Sequence, residues 1–295
     1  MPALVTDEQK LLLTSWLGPF TVVRDYSWPL QDTSVLHVST PAGESFIVKA
    51  STTSHHIRRE IAALTPGLPA ELRGKASFLR HASEVAGILV TEFLPGNPVE
   101  GSPAEHCPET YRQAGVLLAR LHRPAGMSGE YPKKLAYQTR LLIRRAQGLL
   151  AGATLRRASD ALARLEPGPV QLVTTHGDYQ PRNWLEDGGE VKVIDFGRAD
   201  ARPWVHDVVR LAHQQFLGRP VLEEAFYAGL GRRITRPETS IWHLENLNQA
   251  LGTVVWAHRI GDAAFSSPGW RAWKGSWRGP RLNRLHHPRS VARMA

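Results

Sequence analysis

The sequence predicts an α+β protein built from two lobes of unlike structure. Strand-like runs dominate the first 94 residues, whereas helical periodicity dominates the chain beyond the segment Pro95-Gly96-Asn97-Pro98. That segment is typical of a linker, because proline and glycine interrupt regular structure. We therefore expect an antiparallel β-sheet lobe over residues 1–94, a mainly helical lobe over 95–285 and a flexible tail over 286–295.

The first lobe is predicted to contain two helices and five strands. Thr6 is a good N-cap for the first helix, which runs to about Gly18. Apolar residues three and four positions apart indicate a second helix over 55–65. Apolar runs bounded by turn residues are typical of strands, and they lie at 20–27, 34–40, 45–51, 77–83 and 87–94. The turn at 41–44 predicts a hairpin between the second and third of these strands.

The second lobe is predicted to be helical apart from two strands. Amphipathic periodicity indicates helices over 109–122, 135–150 and 155–165, and again from Pro203 to about Leu285. Strands of the buried type are predicted over 170–175 and 191–196. Because an Asp-Gly-Gly turn at 187–189 lies between them, we expect these two strands to form a hairpin.

The composition indicates a globular protein. Hydrophobic residues make up 42% of the chain and charged residues 21%, which supplies a core and is too little charge for a disordered polyelectrolyte. The single cysteine, Cys107, excludes an internal disulfide and a cysteine-cluster zinc site. The first ten residues lack the features of a secretory signal, and no apolar run approaches the roughly 18 residues of a membrane span. We therefore expect a cytoplasmic protein with no membrane partner.

The net charge of +9 is concentrated towards the end of the sequence. Residues 240–295 contain eight Lys and Arg residues against two carboxylates, Glu245 and Asp262. Such a segment is compatible with binding to nucleic acid, to a membrane surface or to an anionic ligand, or with a solvated tail. Because helix-turn-helix and zinc-finger patterns are absent from it, we expect no nucleic-acid partner. A non-catalytic nucleic-acid-binding protein is the alternative from another functional class.

Three oxygen-bearing side chains follow the two strands predicted in the second lobe. Asp178 and Asn183 lie in the loop after the first of these strands, and Asp195 lies at the end of the second. An amide oxygen and a carboxylate oxygen suit Mg²⁺, while a separate carboxylate can accept the proton of an attacking hydroxyl. The set therefore predicts phosphoryl transfer, which requires positioning, charge neutralisation and a base.

The segments HGDYQPRN and IDFG resemble the catalytic and metal-binding segments of the aminoglycoside phosphotransferase and choline kinase family. These are small-molecule kinases with a protein-kinase-like fold, and the resemblance extends over roughly residues 18–260. It implies that Asp178 is the catalytic base and that Asn183 and Asp195 bind Mg²⁺. It also implies two supporting residues: His176, which would hold the loop rather than react, and Asp207, which would tie the following helix to the loop.

A nucleotide site is expected in the first lobe. Kinases of this fold need a lysine on the third strand, held by a glutamate of the next helix, to reach the nucleotide phosphates. Lys49 occupies the third strand-like run inside the apolar sequence FIVKA, where a charge needs a partner. Glu60, in the predicted helix 55–65, is the natural partner.

The nucleotide is expected to be ATP, with GTP as an alternative. The segment ILVTEFLPG looks like the hinge of the kinase fold, with Thr91 at the back of the pocket and the backbone of Glu92 and Leu94 meeting the base. The loop over 24–34 contains no glycine, and hydroxyl side chains such as Ser34 would contact phosphate there instead. The chain has no GxxxxGK[ST] motif, which excludes a P-loop kinase.

The acceptor is expected to be a hydroxylated small molecule that is not strongly polycationic, because basic residues outnumber carboxylates in the second lobe. Aromatic faces there can stack on sugars or bases. The candidate acceptor contacts are Trp242, Glu245, Trp270 and Trp273. An antibiotic is the first interpretation, and a metabolic acceptor such as an amino sugar, a choline-like molecule or a nucleoside is the alternative. The protein is expected to be a monomer or a homodimer.

Overall fold

A five-stranded sheet and two helices form the first part of the chain in the computed structural model, which describes residues 5–27 and 32–259. The helices are α1 (Asp7–Leu17) and α2 (His55–Leu64). The strands are β1 (Thr21–Asp25), β2 (Ser34–Ser39), β3 (Ser45–Ala50), β4 (Leu79–Ser83) and β5 (Ile88–Glu92). Their order across the sheet is β1-β2-β3-β5-β4, and every neighbouring pair is antiparallel. All seven of these elements were expected from the sequence, with ends that differ by a few residues.

Helix α1 is held at its start by a capping box and along its length by the sheet. The Thr6 hydroxyl accepts a hydrogen bond from the Gln9 amide, and the Gln9 side chain accepts one from the Thr6 amide. The Gln9 side-chain amide also donates to the carbonyl of Ala86 at 2.8 Å. Leu13 is fully buried in the apolar cluster beneath the helix. The N-cap predicted from the sequence is therefore confirmed.

Strand β3 separates an apolar face from a charged one. Phe46, Val48 and Ala50 are buried in the cluster that packs under α1. Because side chains alternate along a strand, Ile47 and Lys49 belong to the opposite face. This alternation turns the lysine towards α2 and towards the second half of the chain.

The second half of the described chain contains six helices and two small sheets. The helices are α3 (Pro108–Leu121), α4 (Glu130–Arg145), α5 (Gly152–Ala163), α6 (His206–His213), α7 (Pro220–Leu230) and α8 (Thr239–Arg259). The strands are β6 (Asn97–Pro98), β7 (Pro124–Ser128), β8 (Val170–Thr175), β9 (Trp184–Asp187), β10 (Glu190–Val193) and β11 (Asp200–Arg202). The sheets have the orders β10-β9-β6 and β11-β8-β7. None of the described helices is both apolar and long enough to cross a bilayer.

The Asp-Gly-Gly turn does form a hairpin, but the prediction of its first strand, residues 170–175, is wrong. The turn joins β9 to β10, whereas β8 pairs with β7 and β11. A two-residue turn of Gly188 and Gly189, both with positive φ, connects the extended segments directly beside it. The strand predicted over 191–196 also ends at Val193, because Asp195 adopts a left-handed φ of 69° that is incompatible with a continued ladder.

Four short strands were absent from the sequence prediction. They are β6, β7, β9 and β11, of two to five residues each, and their apolar patterns are too short to be recognised. Strand β6 lies within the predicted linker, where it pairs with β9. Its Pro98 occupies an edge strand, the position in a sheet where a missing N–H is tolerated. The helix predicted over 135–150 begins earlier, at Glu130, with Pro132 in its first turn.

Helices α3 and α7 cross with their backbones in direct contact. A Cβ atom added at Gly115 of α3 would lie 2.7 Å from the amide nitrogen of Leu230. A Cβ atom added at Gly229 of α7 would lie 2.8 Å from the carbonyl carbon of Arg112. Both positions therefore require glycine, although glycine lowers intrinsic helix stability.

We predict that Gly229→Ala destabilises the protein by about 3 kcal/mol, because the added methyl group forces α7 away from α3. Gly252→Ala is the matched control, since a Cβ there would meet Leu142 Cδ1 at an ordinary 3.8 Å within helix α8. The control should be neutral or gain about 0.5–1 kcal/mol from helix propensity. Urea unfolding of the two variants checks the difference, and equal stabilities would contradict the close crossing.

Candidate active site

The loop between β8 and β9 is fixed by the buried carboxylate of Asp207. Its Oδ2 accepts the amide of His176 at 2.9 Å, and its Oδ1 accepts the amide of Gly177 at 2.6 Å. Oδ2 also lies 2.9 Å from Nε2 of His122, at the end of α3. Burial alone would raise the pKa of Asp207, but the hydrogen bond and electrostatic attraction from His122 outweigh it and lower that pKa to about 2. The carboxylate therefore stays ionised at neutral pH.

Gly177 is required by the conformation of this loop. Its φ is 81°, in the left-handed region that favours glycine. A Cβ atom at this position would also lie 2.6 Å from the carbonyl carbon of Arg198. The loop can therefore pass against the residues after Asp195 only with glycine here.

His176 uses both ring nitrogens inside the protein. Its Nδ1 faces the amide of Asp178 at 3.3 Å, which makes Nδ1 the acceptor, and Nε2 donates to the carbonyl of Ile194 at 3.0 Å. The ring packs against Phe196, with the centroids 4.9 Å apart. Neither nitrogen is left for a substrate, so the geometry favours the supporting role expected from the sequence.

Tyr179 anchors the same loop to the helical core. The side chain is 1% exposed, and its hydroxyl donates to the carbonyl of Ala114 in α3 at 2.6 Å. Its ring packs against Trp184, with the centroids 5.2 Å apart. Sequence reasoning did not single out this tyrosine. Its place between Asp178 and Asn183 was the only signal for it.

Asp178 lies in the loop with its carboxylate surrounded by donors. Oδ1 accepts from the Gln180 side chain at 2.6 Å and lies 3.1 Å from Nη1 of Arg210. Oδ2 is paired with Nη2 of Arg182 and lies 3.8 Å from Nε of Arg198. Burial alone would raise the pKa of Asp178, but the guanidinium charges outweigh it and hold the pKa below its ordinary value. We refer to Arg182, Arg198 and Arg210 as the arginine cluster.

The sequence indicated the arginine cluster only in part. Arg182 stands beside Asn183 in the segment HGDYQPRN, and the structure pairs it with Asp178. Arg198 follows IDFG directly, and Arg210 lies three residues after Asp207. That spacing puts Arg210 and Asp207 on one side of helix α6, facing the same loop.

Asn183 and Asp195 are brought together by main-chain contacts. The Asn183 side-chain amide donates to the carbonyl of Asp178 at 2.8 Å, and the amide of Ile194 donates to the carbonyl of Asn183 at 3.0 Å. Asp195 Oδ1 accepts from Nζ of Lys49 at 2.9 Å and lies 3.4 Å from the amide of Gly197. The charge of Lys49 holds the pKa of Asp195 well below its usual range.

The donor set at Asn183 and Asp195 fits Mg²⁺. Asn183 uses its amide nitrogen for the loop, which leaves Oδ1, and both contacts to Asp195 are on Oδ1, which leaves Oδ2. No group of three His, Cys, Asp or Glu side chains in residues 5–27 and 32–259 could hold a metal ion. One carboxylate oxygen and one amide oxygen suit Mg²⁺, a cation that prefers oxygen ligands, keeps several waters and shares phosphate oxygens.

Lys49 joins the sheet, helix α2 and the Asp195 segment. Its Nζ donates to both carboxylate oxygens of Glu60, at 2.9 and 2.8 Å, and to Asp195 at 2.9 Å. Burial would lower the pKa of Lys49, but the two carboxylates outweigh it and raise that pKa above its ordinary value. Glu60 Oε1 also accepts the amide of Phe196 at 3.2 Å. The lysine is therefore charged, and both partners of its ion pairs are fixed.

The predicted hinge residues follow one another at the end of β5 and after it. Thr91 is buried and lies opposite Ile47 of β3. The Glu92 side chain lies 3.4 Å from both Arg73 and Arg80, and Leu94 is buried.

The other predicted nucleotide contact, Ser34, begins strand β2. It lies opposite Ala50 in the sheet. The Ser27 hydroxyl accepts the amide of Val35, which closes the base of the predicted phosphate loop. Residues 28–31 of that loop lie outside the described residues.

Two of the four predicted acceptor contacts, Trp242 and Glu245, lie within the described residues, and both pack inside the helical part of the protein. Glu245 is buried, where it accepts from the Tyr131 hydroxyl at 2.5 Å and lies 2.9 Å from Nδ1 of His206. Both of its oxygens are therefore used between helices. Trp242 packs against the helical core. Trp270 and Trp273 lie outside the described residues.

A model of the phosphotransferase enzyme family matches residues 31–242 of the chain. The chain belongs to this family. The match covers both HGDYQPRN and IDFG, and it confirms the resemblance drawn from them and the prediction of a phosphotransferase. No curated protein matches the chain.

Solved structures of antibiotic phosphotransferases have the same fold as this family member. Macrolide 2′-phosphotransferase MphH from Brachybacterium faecium is 19% identical, with 90% of this chain and 96% of that chain covered and a TM-score of 0.59. A thermostable mutant of aminoglycoside phosphotransferase APH(4)-Ia, in complex with ADP and hygromycin B, is 12% identical, with coverages of 92% and 97% and a TM-score of 0.65. The GDP and kanamycin complex of APH(2")-IIia is 14% identical, with coverages of 92% and 98% and a TM-score of 0.60. These similarities confirm the expected α+β, protein-kinase-like fold.

We predict that Asp207→Asn destabilises the protein by about 3 kcal/mol at pH 7, because an uncharged amide leaves buried donors without an acceptor. The folded pKa of about 2 lies below the ordinary 3.8, so Asp207 contributes stability above that value and loses it as pH falls towards 2. The stability difference between wild type and variant should therefore shrink below about pH 4. Denaturant unfolding across this range measures it. Asp160→Asn, at an exposed position of α5, is the control, and a difference that stays constant with pH would refute the assignment.

Proposed function

We propose that this phosphotransferase moves the γ-phosphoryl group of ATP, or of GTP, to a hydroxyl of a small molecule. The proposal divides the chain into a nucleotide lobe over residues 1–94 and an acceptor lobe from residue 95 onwards. The observation that carries it is the direct linkage of Lys49 to Asp195, at 2.9 Å, beside a loop in which Asn183 is bonded to Asp178. Residues far apart in the sequence thus form one polar site.

Asp178 is the proposed acceptor of the hydroxyl proton. Its lowered pKa keeps it ionised at neutral pH, which a base requires. The same shift makes it a weak base. Phosphoryl transfer tolerates this, because catalysis depends mainly on positioning and on charge stabilisation.

Lys49 is the proposed partner of the nucleotide phosphates, and its ion pair with Glu60 fixes its position. Asn183 and Asp195 would hold Mg²⁺ through the oxygens that their other contacts leave. Bound Mg²⁺ supplies neutralisation of phosphate charge in phosphoryl transfer. The nucleobase is proposed to lie beside the hinge residues Thr91, Glu92 and Leu94, as the resemblance to the kinase fold implies.

The proposed acceptor is a hydroxylated antibiotic that is not strongly polycationic. The solved structures that support an antibiotic name macrolide, hygromycin B and kanamycin in their descriptions. The arginine cluster around Asp178 places positive charge where the acceptor hydroxyl would approach, which disfavours a polycation. A metabolic acceptor is compatible with the same charges. A non-catalytic nucleic-acid-binding protein receives no support from the family match.

We predict that Asp178→Asn lowers kcat for any accepted hydroxyl compound by roughly 10²- to 10⁴-fold, the usual contribution of a general base. Nucleotide consumption with Mg²⁺ across a panel of hydroxylated antibiotics and metabolites measures it. Asp160→Asn removes an exposed carboxylate from α5 and serves as the control. Full activity of Asp178→Asn with its best acceptor would disprove the assignment of the base.

We predict that Asn183→Ala raises the Mg²⁺ concentration for half-maximal rate by roughly tenfold or more, because one of two protein oxygens is removed. Asn97→Ala, on the exposed strand β6, is the matched control. Titration of the rate with Mg²⁺ at fixed nucleotide and acceptor gives the value. An unchanged Mg²⁺ requirement would contradict a metal contact at Asn183.

A further inference from the structure

We infer that the acceptor carries an oxyanion, a carboxylate or a phosphate monoester, which binds the arginine cluster next to the hydroxyl that is phosphorylated. The inference rests on the proposed function, since it assigns Asp178 to the acceptor side. The oxyanion would select the acceptor, and Arg198 would be the residue that binds it.

The charges around Asp178 are unbalanced. Three guanidinium groups face this single carboxylate: Arg182 is paired with it, Arg210 lies at 3.1 Å and Arg198 at 3.8 Å. Asp195 does not compensate them through its bonded oxygen, because Oδ1 is paired with Lys49. A surplus of positive charge therefore remains beside the proposed base.

Asp200 does not remove this surplus. Its carboxylate lies 3.5 Å from Nη2 of Arg202. That arginine also donates through Nη1 to the Thr175 hydroxyl, at 3.1 Å, and to the carbonyl of Arg198, at 2.9 Å. Arg202 thus fixes the backbone of Arg198 while using Asp200 as its own partner. The side chain of Arg198 is left to point at Asp178.

The arginine cluster has donors to spare. A guanidinium group has five N–H donors, and each of these arginines makes one close approach to Asp178. The side chains of Arg182 and Arg198 are 43% and 42% exposed. Arg198 is 3.8 Å from the carboxylate, too far for a hydrogen bond. It is therefore the member that can bind a second oxyanion without first losing a bond to Asp178.

An oxyanion on the acceptor would also release the base. Arg182 occupies Oδ2 of Asp178, so an incoming hydroxyl must displace it. A neutral acceptor offers no replacement for that ion pair, whereas a carboxylate or phosphate does. The hydroxyl proton then passes to Oδ2, the hydroxyl oxygen forms the new P–O bond, and the bond between the γ-phosphorus and the β-bridging oxygen breaks, with its electron pair leaving on the nucleoside diphosphate.

The test compares three sugars with closely matched ring hydroxyls: glucose, glucuronate and glucose 6-phosphate. Calorimetry with the wild-type protein, Mg²⁺ and a non-hydrolysable ATP analogue measures their affinities at about 0.15 M ionic strength, where long-range charge effects are screened. We expect at least one anionic sugar to bind tenfold or more tightly than glucose. The carboxylate and phosphate arms show which oxyanion is preferred. Equal affinity of the three sugars, whether measurable or absent, would overturn the inference.

Variants separate specific recognition from general attraction. Arg198→Gln should reduce binding of the preferred anion to the level of glucose, and Arg198→Lys should keep part of it. Arg233→Gln removes one charge from an exposed pair with Glu224 and should leave the preference unchanged. Equal losses in Arg198→Gln and Arg233→Gln would also overturn the inference.

Kinetics distinguish failure of the inference from failure of the proposed function. An anionic acceptor from the panel should show a raised KM in Arg198→Gln with little change in kcat or in the KM for ATP. A fall in kcat of the same size for neutral and anionic acceptors would assign the cluster to the transferring phosphate, which refutes the inference and leaves the proposed function intact. Arg198-dependent anion binding without transfer to any hydroxyl would refute the proposed function alone.

Discussion

The site depends on a buried carboxylate that is bonded to two consecutive backbone amides. Asp207 accepts from His176 and Gly177 and also contacts His122. A buried N–H without a partner is costly, so these bonds select one path for the loop after β8. The left-handed Gly177 completes that path. The position of Asp178 is therefore set in part by α6, through Asp207.

A second buried charge fixes the opposite side of the site. Lys49 has two carboxylate partners, Glu60 and Asp195, so the positive charge that enters from the sheet is fully matched. The charge balance at Asp178 is the opposite, because one carboxylate faces three arginines there. The site is thus divided electrostatically, with net negative charge where a cation and nucleotide phosphates would be held and net positive charge where an acceptor would arrive.

Sequence reasoning succeeded where a local rule carries the information. Alternation along β3 and the cost of burying an unpaired lysine lead from the sequence to the contact between Lys49 and Glu60. It failed at the hairpin, because a Gly-Gly turn does not say which extended segments it joins, and the short strand at Trp184 has little periodicity of its own. The positions of Arg198 and Arg210 beside Asp178 were equally out of reach. Arg210 is placed by the packing of α6 against the loop, and Arg198 by the path of the chain after Asp195. Glu245 shows the same limit, because its burial against Tyr131 and His206 depends on how three helices meet.

The arginine cluster joins two properties that would otherwise be separate. The guanidinium groups lower the pKa of Asp178, which weakens it in its proposed role as a base, and they occupy the oxygens that an acceptor hydroxyl would have to reach. Such an arrangement is unfavourable for a neutral acceptor on both counts. For an acceptor that brings its own negative charge, the arginines would exchange one oxyanion for another, and Asp178 would regain a free oxygen as the acceptor binds. Binding of such an acceptor to the arginine cluster would then also free Asp178 to accept the hydroxyl proton. Two of the three arginines, Arg198 and Arg210, lie outside the segments HGDYQPRN and IDFG.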